Sequence, residues 1–111
     1  MTATGKTVLQ ASLDVFRTHG MTTIFGNPGS NELPFLAGLG DDFRFVLGLH
    51  EQVVVGMAEG FARATGRPVL VNLHAASGSG NGMGALTNAH YGHVPLVVLA
   101  GQPVRRTVGQ E

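Results

Sequence analysis

The chain has 111 residues, of which 13% are charged and 17 are glycine, with no cysteine; soluble domains average about 25% charged and about 7% glycine. Seven basic and seven acidic residues cancel, which leaves no field to draw the chain onto nucleic acid or an anionic membrane. Disulfide frameworks and thiolate metal sites are excluded, and the longest uninterrupted apolar run, residues 96–100, is far short of the roughly 18 residues a membrane span needs.

Between Lys6 and His19, Leu9, Leu13 and Phe16 recur at helical spacing, and Val8 widens the stripe. Gly20 is placed to stop this helix in the left-handed conformation, with His19 in the last turn. Four short apolar runs follow, at Thr22–Phe25, Phe43–Leu49, Pro68–Leu73 and Pro95–Ala100. They are nearly continuous rather than alternating, as strands of a parallel sheet covered on both faces read. Ser30 or Asn31 can cap a short helix through Leu39, with Pro34 in its first turn. Glu51–Thr65 carries Val54, Ala58, Phe61 and Ala62 on one stripe and is closed by Gly66. A last helix, Gly82 to Tyr91, is built of small residues suited to close packing on the sheet. The order α-β-α-β-α-β-α-β predicts one domain over residues 1–111, a doubly wound, flavodoxin-like and mostly parallel α/β sheet with helices on both faces. No helix follows the fourth strand in the polar stretch 101–111, so the unit reads as incomplete at its C-terminus.

In open α/β sheets, ligands bind beyond the carboxyl ends of the strands. Here that edge collects Gly26-Asn27-Pro28-Gly29-Ser30, His50-Glu51, the loop His74–Gly82, and Gly101-Gln102. Glu51 stands between two apolar segments. Desolvation there would raise its pKa and suit it to acid/base work near neutral pH; a plain carboxylate stabilised by a helix N-terminus is the alternative. Gly80–Ala85 matches G-x-G-x-x-A, but the acidic residue of a dinucleotide site is missing from the end of the next strand, so a structural loop is the competing account. His90 and His93 have ligand-like spacing without a third ligand nearby, and no metal site is assigned. His74 can relay a proton or bind a carboxylate, and Ser30 can serve as a cap or as a hydroxyl donor.

FGNPGSNELPFL (25–36), HE (50–51), EGFARATGRP (59–68), NLHAASGSGNGMGALTNA (72–89) and VPLVVLAGQ (94–102) together resemble the N-terminal pyrimidine-binding domain of thiamine-diphosphate-dependent enzymes. GNPGSNELPF, the NLH after strand three and NGMGAL place the resemblance on the benzoylformate decarboxylase side of that family. The resemblance implies that Glu51 hydrogen-bonds N1′ of the cofactor's aminopyrimidine and so promotes loss of the thiazolium C2 proton. It implies that Ser30 and His74 bind a 2-oxo acid and take part in proton transfer, and that Pro28, Gly29, Gly80 and Asn81 line the pyrimidine half of the cofactor. It further implies a small 2-oxo acid substrate, aromatic acids included, and a homo-oligomer whose sites are shared between subunits; a cytoplasmic location is expected separately, because the N-terminal MTATGKTVLQ has no basic-then-apolar signal pattern. Thiamine diphosphate and Mg2+ are the implied cofactors. The family's diphosphate and magnesium are held by a C-terminal domain with a GDG…N motif, absent from these 111 residues, so the chain reads as part of a longer enzyme, inactive alone. An acetolactate-synthase-like carboligase, a separate pyrimidine-domain subunit, and a non-catalytic flavodoxin-like domain binding a nucleotide or a partner are the alternatives.

Overall fold

Each of the four apolar runs forms a strand: β1 (Thr23–Asn27), β2 (Arg44–Leu47), β3 (Val69–Leu73) and β4 (Leu96–Ala100). In this computed structural model, which describes residues 5–107, they form one sheet in the order β2-β1-β3-β4, with every neighbouring pair parallel. β3 is buried along its whole length, so each of its apolar side chains packs against one covered face or the other.

Alternation along the strands builds two cores. On one face Ile24 and Leu70 pack with Leu13, Phe16 and Met21, flanked by Phe35, Phe43 and Phe45. On the other, Phe25, Val69, Val71 and Leu73 pack with Val54, Val55, Ala58, Ala62 and Ala85. The first face is covered by α1 (Val8–Thr18) and α2 (Leu33–Ala37). The second is covered by α3 (Glu51–Thr65), with α4 (Ala75–Asn81) and α5 (Met83–Tyr91) beside it. The doubly wound α/β fold predicted from the sequence is the one observed.

Local signals explain the helix ends. Thr7 closes a capping box on α1, its hydroxyl accepting from Gln10 N–H while the Gln10 side chain accepts from Thr7 N–H, which satisfies two orphan donors. Gly20 (φ +69) and Gly66 (φ +66) take the left-handed conformation expected of them after α1 and α3. His50 caps α3, its Nδ1 accepting from Gln52 N–H at 3.1 Å.

Three expectations need correction. Neither Ser30 nor Asn31 caps α2: the cap residue is Glu32, whose carboxylate makes no capping bond, because it is engaged elsewhere. That helix also ends at Ala37, short of Leu39. The segment after β3 is not a loop through Gly82 but the helix α4, entered through Ala75 at φ +48. Its glycines and serines carry no apolar stripe; packing supplies what periodicity does not. The small residues of α5 bring it close to α3 while Ala85 joins the core on that face of the sheet. A Cβ on Gly82 would come within 3.3 Å of Val55, and one on Gly84 within 2.8 Å of the Gln52 amide.

Candidate active site

β1 and β3 are neighbours, yet the chain leaves β1 through α2 on one face of the sheet and leaves β3 through α4 and α5 on the other. That reversal opens a crevice at their carboxyl ends, the position where doubly wound sheets hold ligands. β1 delivers Asn27, Pro28 and Gly29 to it, β3 delivers His74, and the start of α3 delivers Glu51.

Glu51 is 8% exposed. Asn27 Nδ2 donates to its Oε1 at 3.3 Å, and Asn81 Nδ2 donates to its Oε2 at 3.2 Å. Burial pushes this carboxyl up, but bonds from its own backbone N–H, Asn81 and Asn27, together with nearby His50, outweigh burial and hold it below its ordinary value. The upward shift expected from desolvation is therefore overturned: each donor favours the ionised form. Gly78 crosses close by, where a Cβ would lie 3.2 Å from Oε1.

A second carboxylate organises the other side. Glu32 is 3% exposed, and its Oε2 accepts from Gly29 N–H at 2.7 Å while its Oε1 accepts from Gly101 N–H at 2.8 Å. His74 Nδ1 lies 3.0 Å from the same Oε2. Burial raises this carboxyl, and the bonds from Gly29, His74 and Gly101 more than reverse that, leaving it low. One side chain thus joins the segments following β1, β3 and β4. Space is tight here: a Cβ on Gly29 would meet His74 Nδ1 at 2.2 Å, and one on Gly101 would meet Glu32 Oε1 at 2.1 Å.

The predicted residues are placed unevenly. Glu51 and Asn81 are joined directly, and His74 stacks close over Gly29, with Pro28 half-buried beside it. Ser30 is exposed in the turn before α2 and makes no hydrogen bond among the described residues. Gly80 and Asn81 sit in the last turn of α4 rather than in a loop; Gly80 is exposed, with open space where a side chain would be. His90 and His93 are exposed, and no group of three metal-ligating side chains occurs among the described residues. No described helix is long and apolar enough to cross a membrane.

A family described as thiamine pyrophosphate enzyme, N-terminal TPP binding domain, matches residues 6–111. The chain belongs to this family.

Its relatives agree with that placement of the TPP binding domain. Benzoylformate decarboxylase of Pseudomonas aeruginosa is 67% identical over 96% of this chain and 20% of its own length. A putative acetolactate synthase large subunit of Mycobacterium tuberculosis is 42% identical over 83% of this chain and 18% of its own. Among solved structures, the thiamine diphosphate-dependent 4-hydroxybenzoylformate decarboxylase of Rhodococcus jostii superposes with a TM-score of 0.90 at 64% identity, over 95% of this chain and 20% of that one. The chain spans about a fifth of the length of these proteins.

The sequence of this TPP binding domain places Asn27 at the sheet edge without giving it a role, and gives Glu32 none. Asn27 ends β1 with its amide on the α3 side, a position legible only once alternation along that strand is known. Glu32 lay inside the quoted GNPGSNELPF segment, but two of its partners, His74 and Gly101, are 42 and 69 residues away. Asn72 was missed as well. It is 2% exposed, its Oδ1 has no partner among the described residues, and with Asn31, Glu32, Phe35 and Gly101 it lines a cavity of about 200 Å³.

Proposed function

We propose that this domain supplies the aminopyrimidine side of the active site in a thiamine-diphosphate-dependent 2-oxo acid decarboxylase. The observation that carries the reading is the buried Glu51 carboxylate, held between Asn27 and Asn81 at the carboxyl edge of a sheet in a TPP-binding family.

The residues present fit the cofactor's ring. The Glu51 carboxylate accepts two side-chain amide hydrogen bonds and one from its own backbone N–H; with about four acceptor directions in all, it keeps one for a ring nitrogen. The glycine at 78 leaves room against it. Glu51 would hold the pyrimidine nitrogen, while Pro28, Gly29, Gly80 and Asn81 would line that ring. Bound thiamine diphosphate supplies the carbon that adds to the 2-oxo group and holds the electron pair released with carbon dioxide.

The chain's own side chains do the rest. Glu51, ionised and buried, would share a proton with the ring nitrogen, and the two asparagine amides hold its carboxyl in place. His74 moves a proton at the substrate, and the free Ser30 hydroxyl hydrogen-bonds the substrate carboxylate. The benzoylformate decarboxylases among the relatives support an aromatic 2-oxo acid as substrate. The diphosphate and its Mg2+ would be held by a different segment, in the same polypeptide or another subunit, in a cytoplasmic homo-oligomer.

The relatives named as acetolactate synthases favour a second reading, a carboligase using the same Glu51. Turnover on benzoylformate against pyruvate separates the two. The test of the cofactor role is Glu51→Gln in the complete polypeptide carrying this domain. Exchange of the cofactor C2 proton with solvent deuterium should slow by about 10²–10⁴-fold, the usual worth of a positioned acid/base group. Exchange at the unchanged rate would remove Glu51 from that role.

A further inference from the structure

The Glu32 carboxylate has no part in the cofactor chemistry described above, yet it is among the most deeply buried charged groups of the domain. An ionised carboxylate can only accept hydrogen bonds. Oε2 already accepts from Gly29 N–H at 2.7 Å, and His74 Nδ1 stands 3.0 Å from that same oxygen. For this contact to be attractive, the proton must sit on Nδ1. The neutral ring is then the Nδ1–H tautomer, with the Nε2 lone pair unused. The His74 side chain is 37% exposed, so the ring is within reach of a ligand.

We propose that Glu32 is the positioning residue of the site: it fixes His74 as the Nδ1–H tautomer and leaves Nε2 as the nitrogen that takes or returns the substrate proton. This rests on the reading of His74 as the substrate-side proton carrier. A buried carboxylate orienting a histidine through Nδ1 is the arrangement that sets the base in acyl-transfer triads. Here the carboxylate is itself immobilised by backbone N–H groups from its own turn, at Gly29, and from the segment after β4, at Gly101. Gly29 and Gly101 leave no room for a side chain at either contact, as a Cβ at 29 would reach His74 at 2.2 Å and one at 101 would reach Glu32 at 2.1 Å. His74 and Glu32 therefore have one mutual placement, fixed by the ends of β1, β3 and β4.

The test uses the complete polypeptide with histidines selectively labelled with ¹⁵N, the His74 signals being assigned by their absence from His74→Ala. In its neutral form, wild-type His74 should show a protonated Nδ1 and an unprotonated Nε2, the reverse of the tautomer that free histidine prefers. An Nε2–H tautomer in the folded wild type would overturn the proposal without any variant. In Glu32→Gln the carboxamide cannot accept from all three donors, and the Nδ1–H tautomer should be lost. With thiamine diphosphate and Mg2+ bound, kcat on benzoylformate should fall about 100-fold, as expected for a mispositioned group, while exchange of the C2 proton is unchanged. Retention of the wild-type tautomer and kcat in Glu32→Gln would also overturn it. If wild type shows the Nδ1–H tautomer but turns over no 2-oxo acid, the decarboxylase reading fails and the Glu32–His74 relationship stands.

Discussion

Glu32 and His74 are 42 residues apart in the chain and 3.0 Å apart in the fold, and no other side chain that hydrogen-bonds Glu32 is present among the described residues. The pair spans the crevice between β1 and β3, with Gly29 pressed against the imidazole. Removing the imidazole and crowding it should therefore have the same consequence.

In the complete polypeptide, His74→Ala should abolish most 2-oxo acid decarboxylation while the cofactor C2 proton still exchanges. Gly29→Ala, whose Cβ would lie 2.2 Å from Nδ1, should lower kcat by about 100-fold by moving the ring. Because both changes act through one group, the double variant should lose no more than the worse single one. Steady-state kcat on benzoylformate checks this. Additive losses would mean that Gly29 acts on something other than His74.

Acid should weaken the fold through the two buried carboxylates. Glu32 and Glu51 are both held below their ordinary value of 4.5. Above that value each is ionised in the folded and the unfolded chain, and the stabilisation is fully present. As pH falls below it the unfolded chain takes up protons first, and the stabilisation is lost as pH drops through the folded-state values. Glu32→Gln should cost about 1–3 kcal/mol at neutral pH, the usual penalty for spoiling a buried acceptor. It should also flatten the decline in stability on acidification, since one of the groups driving it is gone. Urea midpoints followed by circular dichroism from neutral pH down to about pH 3.5 check both parts, the lower end lying below the ordinary carboxylate value. Equal slopes for variant and wild type would show that Glu32 is not held low.

Two glycines of the α3 region should respond to alanine in opposite directions. Neither Gly60 nor Gly66 has a neighbour within 4 Å of where a Cβ would stand, so only the backbone decides. Gly66 sits at φ +66, and alanine there should cost about 1–2 kcal/mol. Gly60 lies inside α3 on an exposed face, and alanine there should stabilise by about 0.5–1 kcal/mol. Denaturant unfolding of both variants, with unchanged m-values, is the measurement; a stabilising Gly66→Ala would contradict the conformational argument.

The strands were legible because β1 and β3 are buried on both faces and β2 and β4 are short apolar runs, a pattern few other elements produce. α3 was legible to the residue, since Glu51 and Gly66 mark its ends chemically. α4 was not: AASGSGN has neither an apolar stripe nor a good helix-forming composition, and the segment is helical through its contacts with α3 and β4. Residue types at the sheet edge brought Glu51, His74 and Ser30 to notice, but not the partners that set their chemistry. The ready ionisation of Glu51 depends on Asn27 and Asn81, 24 and 30 residues away, and burial alone suggests the opposite sign.

β1 and β3 pair with Gly26 opposite Asn72 and Asn27 opposite Leu73. At Gly26 a Cβ would lie 2.6 Å from the Phe45 ring and 2.9 Å from the Asn72 carbonyl, so only a residue without a side chain can occupy that point. A slip of one residue would force Phe25 or Asn27 into it, and would also turn the Asn27 amide to the opposite face, away from Glu51. Strand alignment and carboxylate alignment are thus proofread by the same steric test: a misaligned sheet cannot close, and one that closes already presents Asn27 to Glu51.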